Sequence, residues 1–297
     1  MSEVKSGIVR VPRRPGAWCA PGPPPAAPAD RPDVWPQAGE DLCHLSGDWR
    51  ILQYLRGHRW SLDDLVTAWF AAERMTAAPA RFADLGCGIG AVLLLLAWRF
   101  PAACGVGVEA QEASAALARR SLAWNGAEDR CAVRGGDLRD AAVLSGDGFD
   151  LVTGTPPYLP PGSARAPTRA LQAACHIEQR GGIEDYCRAA ARLLAPAGRF
   201  VVCHAAAQVA RTERAATDAG LRIDARVEVV PRAGKAALFA VYAMRRAGDA
   251  PAACVLPPLV VRDACGQWTA EFRAVRRAMG MPAQAPARSA HRRGGRV

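Results

Sequence analysis

Residues 81–98 read RFADL, GCGIG, AVLLLLAW: a glycine loop set between an apolar strand-like run and an apolar helix-like run. Glycine tolerates left-handed backbone and lets the main chain approach a ligand closely. The start of the following helix adds N–H groups that have no intrahelical partner. A strand that ends in such a loop and opens a helix is the ligand crevice of a doubly wound α/β sheet. Gly86, Gly88 and Gly90 fit a GxGxG spacing. Gly86, Gly88 and Ala91 also fit the dinucleotide pattern that ends in alanine, so the loop alone leaves the ligand open.

The rest of the chain repeats the alternation. Further strands are expected at CGVGVE (104–109), CAVRGGD (131–137), FDLVTG (149–154) and RFVVCH (199–204). Ser61-Leu62-Asp63-Asp64 is a capping-box pattern that opens a helix with Leu62, Leu65, Val66, Trp69 and Phe70 on one face. Ile183, Tyr186, Cys187, Ala190 and Leu194 form a second helical stripe, ended by Pro196 and Gly198. A helix around QVARTERAATDAG precedes LRIDARVEVV and AALFAVYAM, two strands with no helix between them. Strand–helix alternation dictates a mostly parallel sheet with right-handed crossovers and helices on both faces. The last two of the seven strands should form an antiparallel hairpin at the edge.

Length allows one sizeable core plus tails: the chain has 297 residues, half of them hydrophobic. Residues 1–40, rich in Pro, Ala and Arg, are expected to be an extended or disordered tail, and 281–297 likewise. Between them lie a helical leading segment (41–80), a core (81–245) and a C-terminal extension (246–280) expected to form a turn and a helix. The formal charge is +10, carried almost entirely by arginine, since Lys5 and Lys235 are the only lysines. Either a GC-rich genome or affinity for phosphate backbone explains that bias. Ten cysteines without CxxC pairs argue against a zinc knuckle and against a disulfide framework; Cys87, Cys104 and Cys203 read as core residues. No apolar run is long enough to span a bilayer, and the N-terminus has no apolar signal core, so a cytoplasmic location is expected. The five histidines show no ligand spacing, and no metal is assigned.

Three carboxylates follow consecutive strands. Asp84, two residues before Gly86, can orient backbone or water beneath an amino-acid moiety. Glu109, at the end of the second strand, suits a ribose diol. Asp137, after the third, can accept from an adenine amino group. With the glycines, this order resembles the S-adenosylmethionine site of class I methyltransferases. The resemblance implies a Rossmann-like fold and S-adenosylmethionine as cofactor.

The fourth strand runs into Thr155-Pro156-Pro157-Tyr158, a poor continuation for any strand. The stretch resembles the (N/D/S)-P-P-(Y/F) motif of methyltransferases that act on conjugated, planar nitrogens. In that family the first side chain and the first proline carbonyl accept the two N–H protons of a weakly nucleophilic amine. The aromatic stacks on the flipped base. Thr155 stands where Asn or Asp is commonest. Its hydroxyl can accept, but it has no amide.

Upstream, QYLRGHRWSLDDLVTAWFA (53–71) resembles the corresponding segment of bacterial tRNA(Val) adenine-N6 methyltransferases, and the likeness runs from about Leu52 to Met244. It implies transfer of methyl to adenine N6 in tRNA, with Trp60 and Asp63 near the methionine end of the cofactor. A release-factor glutamine or an rRNA base as substrate, and an inactive RNA-binding relative, are the other readings. Arg165, Arg169 and Arg180, in the loop after the motif, suit phosphate contacts.

Overall fold

The computed structural model describes residues 7–12, 14–57, 59–144, 148–158, 181–248 and 254–284. Arg165, Arg169, Arg180 and most of the basic C-terminal tail lie outside the described residues.

The glycine loop sits where the alternation put it. Strand β4 (Arg81–Leu85) leads through Gly86–Gly90 into helix α2 (Ala91–Arg99). Then follow β5 (Cys104–Glu109), α3 (Glu112–Asn125), β6 (Cys131–Gly135), β7 (Phe149–Gly154), α4 (Ile183–Leu193), β8 (Leu194–Ala205), α5 (Val209–Asp218), β9 (Leu221–Val230) and β10 (Phe239–Arg246). The strands pair in the order β6-β5-β4-β7-β8-β10-β9. All of these pairings are parallel except those of β10, which runs antiparallel to both neighbours. The expected antiparallel hairpin is β9–β10, and its second strand is the inner one, inserted between β8 and β9. Two short strands, β11 (Cys254–Val255) and β12 (Leu259–Val260), extend the sheet by pairing with β9.

Period-two alternation divides the core. Phe82, Val201, Cys203, Val241 and Ala243 face the side covered by α2, α3 and the leading helix α1 (Leu62–Arg74). Ala83, Leu85, Phe200, Val202 and Tyr242 face α4 and α5. Helix α1 starts at the expected capping box: the Ser61 N–H donates to Asp64 Oδ2 at 2.9 Å. The extension closes with α6 (Ala270–Ala278), capped by Thr269, and packs Phe272, Val275 and Met279 into the α1–α3 core. Cys104, expected in the core, is exposed at the start of β5.

Two expectations need correction at the N-terminal end. Within residues 1–40, expected as an extended or disordered tail, the stretch from Pro21 to Trp35 packs along α2 and α3, with Gly22 on Trp98 and Ala27 and Trp35 on Trp124. Val34 is fully buried, and Trp35 meets Trp124 edge-to-face at 4.5 Å. The Ala27 N–H donates to the Trp124 carbonyl at 2.8 Å, and Arg120 holds the carbonyls of Asp33 and Trp35. A few large apolar side chains at the right intervals suffice to anchor a Pro/Ala-rich chain to a helix face. Residues 41–80 are also not wholly helical. Strands β2 (Glu40–His44) and β3 (Arg50–Tyr54) form an antiparallel hairpin, joined by β1 (Ile8–Val9). Cross-strand partners Leu42 and Leu52 bury one face of the hairpin and Ile51 lies buried on the other, and Ser121 and Asn125 of α3 take up its backbone groups.

Candidate active site

A cavity of about 330 Å³ opens at the C-terminal edge of the parallel strands, the ligand side of such a sheet. Gly86, Gly88, Glu109, Asp137, Asp63 and the whole Thr155–Tyr158 motif line it. The structure thus gathers residues from 63 to 158 into one pocket.

The glycine loop needs glycine for separate reasons. Gly86, Gly88 and Gly90 have φ of +60°, +54° and +86°, a region that side chains rarely adopt. A Cβ on Gly86 would also overlap the Tyr186 hydroxyl, whereas one on Gly88 would meet nothing within 4 Å. Gly88 therefore leaves open space toward the cavity. Gly90 caps α2, and the Leu94 N–H donates to its carbonyl at 2.9 Å.

Carboxylates frame this loop. Glu109 accepts from the Gly88 N–H at 2.9 Å and the Gln111 N–H at 2.7 Å. Asp84 lies behind the loop. It accepts from the Leu93 N–H at 3.2 Å, in the first turn of α2, and from the Thr153 hydroxyl at 2.8 Å. Burial pushes its carboxyl up to about 7, opposed by those two donors and reinforced by Glu109. Asp137 lines the cavity beyond β6. Its two oxygens are gripped by Arg139, with Nε at 2.9 Å and Nη2 at 2.5 Å.

The motif after β7 is held through Tyr158. The phenol donates to Asp63 Oδ2 at 3.2 Å and lies 3.1 Å from Cys203 Sγ. Burial, with Cys203 and Asp63 beside it, raises the phenol well above its ordinary range. It stays protonated and able to donate. Thr155 and the prolines lie on the cavity wall.

Trp60 departs from the expected set. It does not line the cavity, and its ring packs against the α1–α3 core. Its neighbour Asp63, one helical step on, does face the cavity. Tyr186 on α4 belongs to the helical stripe that its spacing predicts, yet it also lines the cavity against Gly86 and Gly154. A single hydroxyl in a stripe of Ile, Cys and Ala was the available signal. Asp64 also reaches the cavity, its carboxyl pushed well up by burial and by Asp63, against the Ser61 N–H. Among the described residues no group of three or more His, Cys, Asp or Glu could hold a metal ion, and no helix is long and apolar enough to cross a membrane.

Residues 82–182 match the methyltransferase domain family. A tRNA1(Val) (adenine(37)-N6)-methyltransferase of Porphyromonas gingivalis is 34% identical over 141 residues, covering 46% of this chain and 54% of that protein. A release factor glutamine methyltransferase of Bradyrhizobium diazoefficiens is 35% identical over 164 residues, covering 52% of this chain and 53% of that protein. The chain spans about half the length of these relatives. A solved structure of a "predicted O-methyltransferase" from Agrobacterium tumefaciens superposes with a TM-score of 0.57 at 21% identity. It covers 74% of this chain and 98% of its own. The fold is that of the class I methyltransferases, and the cofactor of such a domain is S-adenosylmethionine.

Proposed function

We propose that this chain, a class I S-adenosylmethionine-dependent methyltransferase by its domain and fold, methylates an exocyclic amine, adenine N6 of a tRNA. The observation that carries the reading is the shared cavity. Thr155, Pro156, Pro157 and Tyr158 line the same pocket as Gly86, Gly88 and Glu109, whereas Gly90 is turned toward Ala118 outside it.

The pocket fits the cofactor. Gly88 leaves room where a ligand would press on backbone, and Asp63 and Glu109 give the wall acidic groups that suit a cationic ligand. Glu109 would hold the ribose hydroxyls while its other lone pairs keep the Gly88 and Gln111 N–H groups in place. Asp137 would accept from the adenine amino group, its carboxylate oriented by Arg139. Asp84 acts from behind, fixing the first turn of α2 against β7. Asp63 faces the methionine end. S-adenosylmethionine supplies an electrophilic methyl group on sulfur.

The chain's own work is positioning. An aromatic amine has its lone pair spread into the ring, and acceptors that take both N–H protons return it to nitrogen. The Thr155 hydroxyl and the Pro156 carbonyl would be those acceptors, and the Tyr158 ring would stack on the base. Such fixed dipoles beside a reacting centre lower the barrier without acid–base chemistry. The identity to a tRNA adenine-N6 enzyme and the arginine-rich surface support RNA as the partner. The glutamine-modifying relative keeps a protein amide in play.

One incubation tests this reading. The protein is mixed with methyl-labelled S-adenosylmethionine and, separately, with total tRNA, rRNA and protein extract. Label in tRNA recovered as N6-methyladenosine is the expected result. Label confined to rRNA, or to protein as methylglutamine, would keep the chemistry and overturn the substrate. Label in no fraction would overturn both.

A further inference from the structure

The pairing that holds β7 to β4 and β8 stops at Gly154, and the next two residues but one are prolines without N–H groups. Among the described residues, the hydrogen bonds that fix the motif are those of Tyr158. The backbone after the prolines is held from its far side. Gln208 Nε2 donates there, to the Tyr158 carbonyl, at 2.9 Å.

Gln208 is itself held on two sides. Arg211 Nη1 donates to Gln208 Oε1 at 3.0 Å, and the Thr212 hydroxyl donates to the Gln208 carbonyl at 3.2 Å. Because a guanidinium can only donate, it fixes which end of the amide is oxygen. The NH2 end is left facing Tyr158. Arg211 is anchored in turn by a two-point bond to Glu184, with Nε to Oε1 at 2.7 Å and Nη2 to Oε2 at 2.8 Å. Glu184 lies in the first turn of α4, the helix that sets Tyr186 over the glycine loop. One chain of polar contacts thus joins the backbone after the prolines to the helix that covers the cofactor loop.

We propose that Gln208 is a positioning residue for methyl transfer: held by Arg211 and Glu184, it fixes the Tyr158 carbonyl and through it the carbonyl that Pro156 offers to the target amine. The proposal rests on the reading of Thr155–Tyr158 as the amine-binding motif. None of the three residues lines the cavity, so their effect must pass through the motif backbone.

The discriminating variant is Gln208→Glu. It keeps the side-chain volume and an oxygen for Arg211, but it replaces the donor with a second oxygen that faces the Tyr158 carbonyl. Turnover is measured with labelled S-adenosylmethionine on total tRNA and on protein extract. Affinity for the demethylated cofactor is measured by calorimetry, and Tm by scanning. The expected result is a loss of kcat of about 10- to 100-fold, as small misplacements of reacting groups produce, with cofactor affinity and Tm close to wild type. Arg211→Ala should cost less, and should add little in the Gln208→Ala background because both act along one path. A Gln208→Glu enzyme within twofold of the wild-type kcat would overturn the proposal. So would a loss matched by equal falls in cofactor affinity and Tm. Wild type that labels neither fraction would instead sink the amine-binding reading, and this inference with it.

Discussion

The Tyr158 phenol donates to Asp63 Oδ2 at 3.2 Å, tying the residue that ends the proline motif to the first turn of α1. The hydroxyl is thereby spent on the protein, and in the proposed reading the ring is the part that meets substrate. Tyr158→Ala should cut methyl transfer by about 100-fold while weakening cofactor binding far less, since base–aromatic stacking is worth about 1–3 kcal/mol per base. Tyr158→Phe keeps the ring and loses the tether, so it should keep most of the activity and lose about 1 kcal/mol of stability. Label-transfer kinetics and calorimetry give both numbers. Equal losses of transfer and cofactor affinity in Tyr158→Ala would show that the ring does not contact substrate.

Glu109 does two things at once: it faces the cavity and it accepts from the Gly88 and Gln111 N–H groups. Glu109→Ala removes both and should abolish measurable cofactor binding by calorimetry. Glu109→Gln keeps one acceptor oxygen and should bind measurably but more weakly. Unchanged affinity in Glu109→Ala would place the ribose elsewhere.

The alternation of strand and helix, and with it the position of the glycine loop, is written in local residue patterns. The expected RFADL and CGVGVE strands coincide with β4 and β5 because their apolar runs are bounded by turn residues. That Gly86 and Glu109 at those strand ends would face one crevice was legible for the same reason. What was not legible depends on partners far along the chain. Trp35 looks like part of a proline-rich tail until Trp124, 89 positions away, gives it a face to pack on. Tyr186 looks like a core residue until Gly86 is seen beneath its hydroxyl. Trp60 and Asp63 sit three residues apart, but the start of α1 turns one into the core and the other into the cavity.

The three loop glycines should not respond alike to substitution. Gly88→Ala meets nothing within 4 Å but keeps a φ of +54°, so its cost in stability should be about 1–2 kcal/mol. Gly86→Ala adds an overlap with the Tyr186 hydroxyl to similar backbone strain, and should cost about 1–3 kcal/mol more. Removing the hydroxyl with Tyr186→Phe should recover part of that difference in the Gly86→Ala background and none of the Gly88→Ala cost. Denaturant unfolding of the four variants measures it. Equal costs at the two glycines would mean that Tyr186 does not crowd the loop.

Asp84 and His44 should tilt stability in opposite directions across mildly acid pH. Burial raises the Asp84 carboxyl to about 7, so the folded chain keeps a proton that the unfolded chain releases near its ordinary 3.8. Stability from this group falls as pH rises through that window. Burial, followed by Arg50 and Arg14 and against Asp48, lowers His44 to about 4 from 6.5. There the unfolded chain takes up the proton first, and stability falls as pH drops below 6.5. Unfolding free energies measured in urea from pH 4.5 to 7 separate the two. Relative to wild type, Asp84→Asn should gain stability progressively toward pH 7, with its acceptor oxygen still serving Leu93. His44→Gln should gain toward pH 4.5. A variant profile that runs parallel to wild type would remove the corresponding group as a source of pH dependence.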